Sequence, residues 1–218
     1  MHILQTVSRT LTLTVIRTTA LVFASVLVLT GTSFAQDAKK PADAAPMKPA
    51  EPKTYTFVGE SLRGYQNVQT NLAGAAEKMP EEHYSFKPVP EVKSFGQHVA
   101  HIALSQYGLC SSLKGEPNPK KDDKEETTRT KADTIALLKG SAAYCEPLIS
   151  GLTETSAAEM MPMGKDKVAK GLIPMALISH ADEVYGSMAV YLRLKGIVPP
   201  STEKMNQMKQ DQSKKSSQ

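Results

Sequence analysis

His180 stands on a face of otherwise apolar residues. Ile173, Leu177, Ala181, Val184, Met188 and Leu192 recur three and four apart, which lays them along one side of a helix with His180 inside the stripe. An imidazole taken out of water costs free energy until its nitrogens are bonded. Either a protein hydrogen-bonding group or a metal ion can do this. His98 and His101 form a second group, one helical turn apart. On a wheel of 100° per residue His98 falls about 60° from Phe95 and His101 about 120° to the same side. His98 is therefore expected nearer the core and His101 at the edge of a cleft. Cys110 and Cys145 are the only thiols. No Ser/His/Asp or Cys/His constellation with defined spacing is present. Ser105, Tyr107 and Tyr185 are candidates to line a cleft near His101, although a Tyr at helical spacing is more often a packing residue.

Four helices have to position these groups. Leu62, Tyr65, Val68, Leu72 and Met79 predict a first helix from about Thr56 to Lys78, stopped by Pro80. A loop with Pro88 and Pro90 follows; His83, within it, reads as structural or merely solvated. Ser94 is a fitting N-cap for a second helix from Phe95 to about Lys114, with Phe95, Val99, Ile102, Leu109, Cys110 and Leu113 as its stripe. A polar stretch from Gly115 to Arg129 offers no core. The third helix starts near Thr130 with Ile135, Leu138, Ala142, Cys145 and Ile149, and Pro147 should kink its last turn. Thr153 to Lys170 reads as a connection, its methionines serving to pack or to line a pocket. The fourth helix carries His180 and stops at Gly196 and Pro199-Pro200. The expected fold is an all-α four-helix bundle over residues 54–200.

The ends read differently. Arg9 and Arg17 precede an apolar run from Thr18 to Thr30, and Ser33-Phe34-Ala35 supplies the small residues of a cleavage site. Residues 1–35 are expected to be a signal peptide, touching the membrane only transiently, which makes the mature protein extracytoplasmic, periplasmic or secreted. No cysteine follows the run, which argues against a lipid anchor. Residues 36–53 are Ala, Pro and Lys with almost nothing apolar, a linker expected to lack order, and residues 201–218 form a polar tail expected to lack it too. The formal charge of +4 includes both signal arginines, so the mature chain carries 24 basic against 22 acidic residues. This weak balance and export both argue against a nucleic-acid partner.

The cysteines constrain topology. In an oxidising compartment two thiols on core-facing stripes are expected to pair, the alternative being two reduced catalytic thiols. Both stand about 15 residues into their helices, roughly 23 Å along each axis. They meet within the ~7 Å that a disulfide allows only if the second and third helices run parallel. A parallel pair needs a crossover of about 30 Å, and the stretch from Gly115 to Arg129 spans nearly 50 Å when extended. The expected arrangement is up-down-down-up, with a long crossover between helices two and three and a disulfide Cys110–Cys145.

With these residues assembled, the chain resembles the DinB-like family of four-helix bundles. The likeness rests on Met79-Pro80-Glu81-Glu82 with Tyr84-Ser85-Phe86-Lys87-Pro88, on Ser94-Phe95-Gly96 leading to His101, and on Ser179-His180 with Glu183, Tyr185-Gly186 and the run from Tyr191 to Pro200. The resemblance implies the same up-down-down-up arrangement. It also implies a divalent transition-metal site, zinc or nickel, with one histidine on helix two, matched by His101, and two histidines four apart on helix four. His180 matches the first of these two, and Val184 stands at the other. A catalytic zinc site normally keeps three protein ligands. Glu183, three residues after His180, and His98, three before His101, reach the same sides of their helices and are the candidates to complete the set.

Two functions follow from the likeness. One is an exported, non-catalytic bundle with a degenerate metal site that binds a small molecule or partner. The other is a metal-dependent enzyme of the thiol-dependent transferase, isomerase or hydrolase type using His101 and His180. A tethered structural bundle is a third class. Relatives of this kind often dimerise, so a homodimer is also an expectation.

Overall fold

The computed structural model describes residues 52–217. The expected signal peptide and nearly all of the 36–53 linker lie outside them. Helix α1 (Phe57–Lys78) starts where the Thr56 side chain accepts from the Gly59 N–H. A 3-10 turn (Glu81–His83) leads to α2 (Phe95–Lys114), opened by a reciprocal capping box between Ser94 and Gln97. Gly115, at φ 76°, ends α2 in the left-handed conformation that glycine tolerates. Helix α3 (Lys131–Ser150) is capped by Thr130 and retains Pro147 in its last turn. Helix α5 (Leu172–Leu194) completes the bundle, after a short α4 (Glu154–Ala158) and an antiparallel hairpin of β1 (Met160–Met163) and β2 (Asp166–Ala169).

Cross-helix contacts give the directions. Ser141 Oγ donates to Gln106 Oε1 at 2.8 Å, and one turn later on both helices Cys145 is bonded to Cys110 with Cα atoms 5.4 Å apart. Partners that advance together mean that α2 and α3 run parallel, as the cysteine heights require. Phe57 against Gly171 and Gly64 against Ile178 make α1 and α5 parallel by the same reasoning. Gln66 to Glu146 and Glu77 to Lys139 advance in opposite senses, so α1 and α3 are antiparallel. The order is up-down-down-up. Leu72, Phe95, Ile102, Leu138, Met188 and Leu192 fill one continuous core, and Tyr65, Ile149, Ile173 and Leu177 pack with the disulfide in a second.

One expectation needs correction. The tail read as lacking order forms α6 (Pro200–Ser216) from its first residue. It buries no side chain, so it is core-free as expected. Its helicity comes from Pro200 at the first position, good helix formers beyond it, and tethers from Lys78 to Glu203 at 2.6 Å and Lys204 to Asn67 at 2.7 Å. The connection from Thr153 to Lys170 contains α4 and the β1–β2 hairpin. Gly164, at φ 63°, turns the hairpin, which buries Met161 against Ile173 and Leu177.

Candidate functional site

The loop before α2 fixes where that helix begins. Tyr84 donates its hydroxyl to the Ala76 carbonyl at 2.6 Å, and its own carbonyl accepts from Gly96 N–H at 2.8 Å. Phe95 N–H bonds back to Phe86, and the Phe95 ring meets Tyr84 edge-on at 5.3 Å. From this start α2 presents His98 and His101 towards the antiparallel α5. His98 is taken up in packing. Its ring stands edge-on to Tyr191 at 5.2 Å, and the Tyr191 hydroxyl is anchored on the Lys93 carbonyl at 2.6 Å. Burial, then the charges of Lys93 and His101, hold the His98 imidazole below its ordinary pKa despite the opposing pull of Glu125.

His101 meets His180 of α5 with ring centroids 5.0 Å apart. The stripe reading placed His180 in the core. Instead its side chain is 30% exposed and that of His101 29%, so the pair lies half-buried at the bundle edge. Glu125, in the crossover, closes the other side of His101. One of its oxygens contacts His101 Nδ1 and the other accepts from Lys93 Nζ. Burial opposes ionisation of Glu125, but the hydrogen bonds from Lys93 and His101 outweigh it and keep this carboxylate below its usual pKa. An ionised carboxylate accepts, so Nδ1 of His101 carries the hydrogen and Nε2 is the ring's other nitrogen.

Glu183 lies 3.5 Å from His180 Nδ1 but is 79% exposed, an open contact on the surface of its own helix. Val184 is 5% exposed and packed in the core. The structure therefore brings together His101, His180 and Glu125, sets Glu183 beside them, and turns His98 to Tyr191. Among the described residues no group of three His, Cys, Asp or Glu side chains is arranged to hold a metal ion. Both Glu125 oxygens are engaged, and Val184, the position at which the resemblance implies a third histidine, is a buried apolar side chain. The residues present do not fit a three-ligand metal centre. What they can do is bind and exchange protons: two imidazoles meet edge-on, one aligned by a carboxylate.

Sequence reasoning missed Glu125. It sits in a polar stretch without periodicity, 24 residues from His101. The only signal was that a crossover between parallel helices has to pass along the bundle, where its side chains meet α2. Beside Glu125 a cleft of about 380 Å³ opens, lined by Glu81, Glu82, Gln97, Arg129 and Lys131 among others. Arg129 is held by Asp123 and the Lys124 carbonyl, and Lys131 by the carbonyls of Glu77 and Met79.

Known proteins share this architecture. An uncharacterised protein of Bacillus subtilis (strain 168), YjoA, is 27% identical over 137 residues, 61% of this chain and 84% of that protein. Its crystal structure, of a DinB-like protein, is similar with a TM-score of 0.52 at 23% identity, over 63% of this chain and 92% of that one. A DinB-like protein from Bacillus cereus ATCC 10987 gives a TM-score of 0.57 at 15% identity, over 64% and 93%. YfiT from Bacillus subtilis, described as a probable metal-dependent hydrolase with an unusual four-helix bundle topology, gives 0.50 at 17% identity, over 69% and 94%. At such identities the structural likeness speaks to the fold alone. A family model described as the DinB superfamily matches residues 65–176, just over half of the sequence, and the chain belongs to that superfamily.

Proposed function

We propose that this is an exported DinB-superfamily protein whose metal site has degenerated, and which binds a small molecule or a partner without catalysing a reaction. The observation that carries the reading is Val184, an apolar, buried side chain where the family pattern has its third histidine. Two imidazoles alone hold a transition metal weakly. The cleft beside Glu125, walled by carboxylates, hydroxyls and Arg129, supports a small polar ligand entering next to His101. The alternative, a metal-dependent transferase, isomerase or hydrolase using His101 and His180, draws on the alignment of His101 by Glu125, an arrangement common behind metal-binding histidines. Metal content by mass spectrometry of protein purified without a histidine tag separates the two. The proposal expects well under one zinc or nickel per chain. Close to one per chain, lost in His101→Ala and in His180→Ala, would establish the alternative.

A further inference from the structure

A second cleft, of about 260 Å³, lies between α1 and α3 and is lined by Tyr65, Gln66, Gln69, Thr70, Ala142 and Glu146. Two of these carry buried polar atoms with no partner. The Tyr65 hydroxyl belongs to a residue only 1% exposed, and the Gln69 amide nitrogen is likewise shut from solvent. Folded proteins leave few such donors unpaired, and two beside one cleft indicate a missing acceptor. The polar groups of Thr70 and Gln66 are satisfied. Thr70 Oγ1 donates to the Gln66 carbonyl, and Gln66 Nε2 donates across the cleft to Glu146 Oε1 at 2.9 Å. The other oxygen of this exposed Glu146 bonds to no protein group among the described residues, and its charge reaches the phenol: burial first, then Glu146, push the Tyr65 pKa above its ordinary value. Ala142, one turn before Glu146 on α3, is the small side chain that leaves the space open.

Two unpartnered donors closed off just behind one wall and an exposed carboxylate beside them define what fits. An occupant has to offer an acceptor to Tyr65 and Gln69 and a cationic donor to Glu146, within a volume of a few heavy atoms. We infer that this cleft is a ligand site separate from the His101–His180 pair, and that it takes an amino-acid-sized zwitterion. Binding opens the wall at Tyr65 and Gln69, so that the ligand carboxylate accepts from both, while its ammonium group pairs with Glu146. No covalent step is involved.

The test is a titration of the full mature protein, with tyrosine rings labelled with carbon-13, followed by nuclear magnetic resonance. The probes are L-alanine, acetate and ethylamine, which carry both charges, the anion only and the cation only. L-alanine should shift the Tyr65 ring signals saturably, with the other two binding at least tenfold more weakly. Glu146→Gln, at an exposed position that keeps the bond from Gln66 possible, should weaken L-alanine at least tenfold, and Ala142→Leu should abolish the response. His101→Ala should leave it unchanged, which keeps this site distinguishable from the proposed one. Absence of a saturable shift with all three probes would mean that water alone fills the cleft and would overturn the inference. Equal binding of acetate and L-alanine, indifferent to Glu146→Gln, would overturn it as well.

Discussion

Reducing the Cys110–Cys145 bond should cost this bundle about 4 kcal/mol. The bond closes a loop of 35 residues between two helices that no short connection joins. In the chain-entropy model such a loop removes about 13 cal/mol/K from the unfolded ensemble, which at 25 °C is about 4 kcal/mol. Both cysteines are fully buried, so alanine substitution would add the loss of sulfur packing; reduction of the intact protein isolates the cross-link. The assay is urea unfolding followed by circular dichroism, with and without a reductant that leaves the native state folded at zero urea. The midpoint should fall, and the slope should rise, because the reduced unfolded chain exposes more surface. Thermal unfolding should move down by roughly 8 to 16 °C for a domain of this length. A reduced protein within about 1 kcal/mol of the oxidised one would refute the reasoning. It would mean that the packing of α2 on α3 alone holds the parallel pair together in the unfolded ensemble as well.

Three further outcomes follow from the site. His98 has its pKa lowered by folding, so the unfolded chain binds the extra proton first; stability is fully present above the ordinary value of 6.5 and falls as pH drops through the folded value. Urea midpoints compared at pH 7.5 and 5.5 should show the loss, and His98→Gln should reduce it. Glu125 is lowered from 4.5, so its contribution is present above that value and disappears at more acidic pH, a second and separable step. Glu125→Gln should cost about 1 to 2 kcal/mol by weakening the bonds to Lys93 and His101, and hydrogen exchange should speed up across the 115–129 crossover while α1 is unchanged.

What the sequence made legible follows from how each signal arises. The stripes of Tyr65, Leu72, Val99, Ile102, Leu138, Ile149, Leu177 and Met188 repeat at helical spacing because each helix buries one face, so helix positions were readable to within a residue or two. The topology was readable because two cysteines have to meet at one height. His180 was misjudged in depth. A wheel ranks positions around a helix but does not say where the neighbouring helix stops, and α2 offers His101 there rather than an apolar side chain. Glu125 is legible only once the crossover path is known, since its partners are Lys93 and His101, far off in sequence. Helix α6 was hidden because a surface helix without a buried face has no periodicity to read.

The degenerate-site reading is tested most directly by cobalt(II) titration of the wild type beside Val184→His, followed by absorption spectroscopy and by thermal unfolding as a check on folding. The account predicts weak, unsaturated uptake by the wild type. Val184→His should bind one equivalent tightly, and Val184→His combined with His101→Ala should lose it. One tight equivalent in the wild type, unimproved by Val184→His, would contradict it: a third donor other than residue 184 would then complete the site.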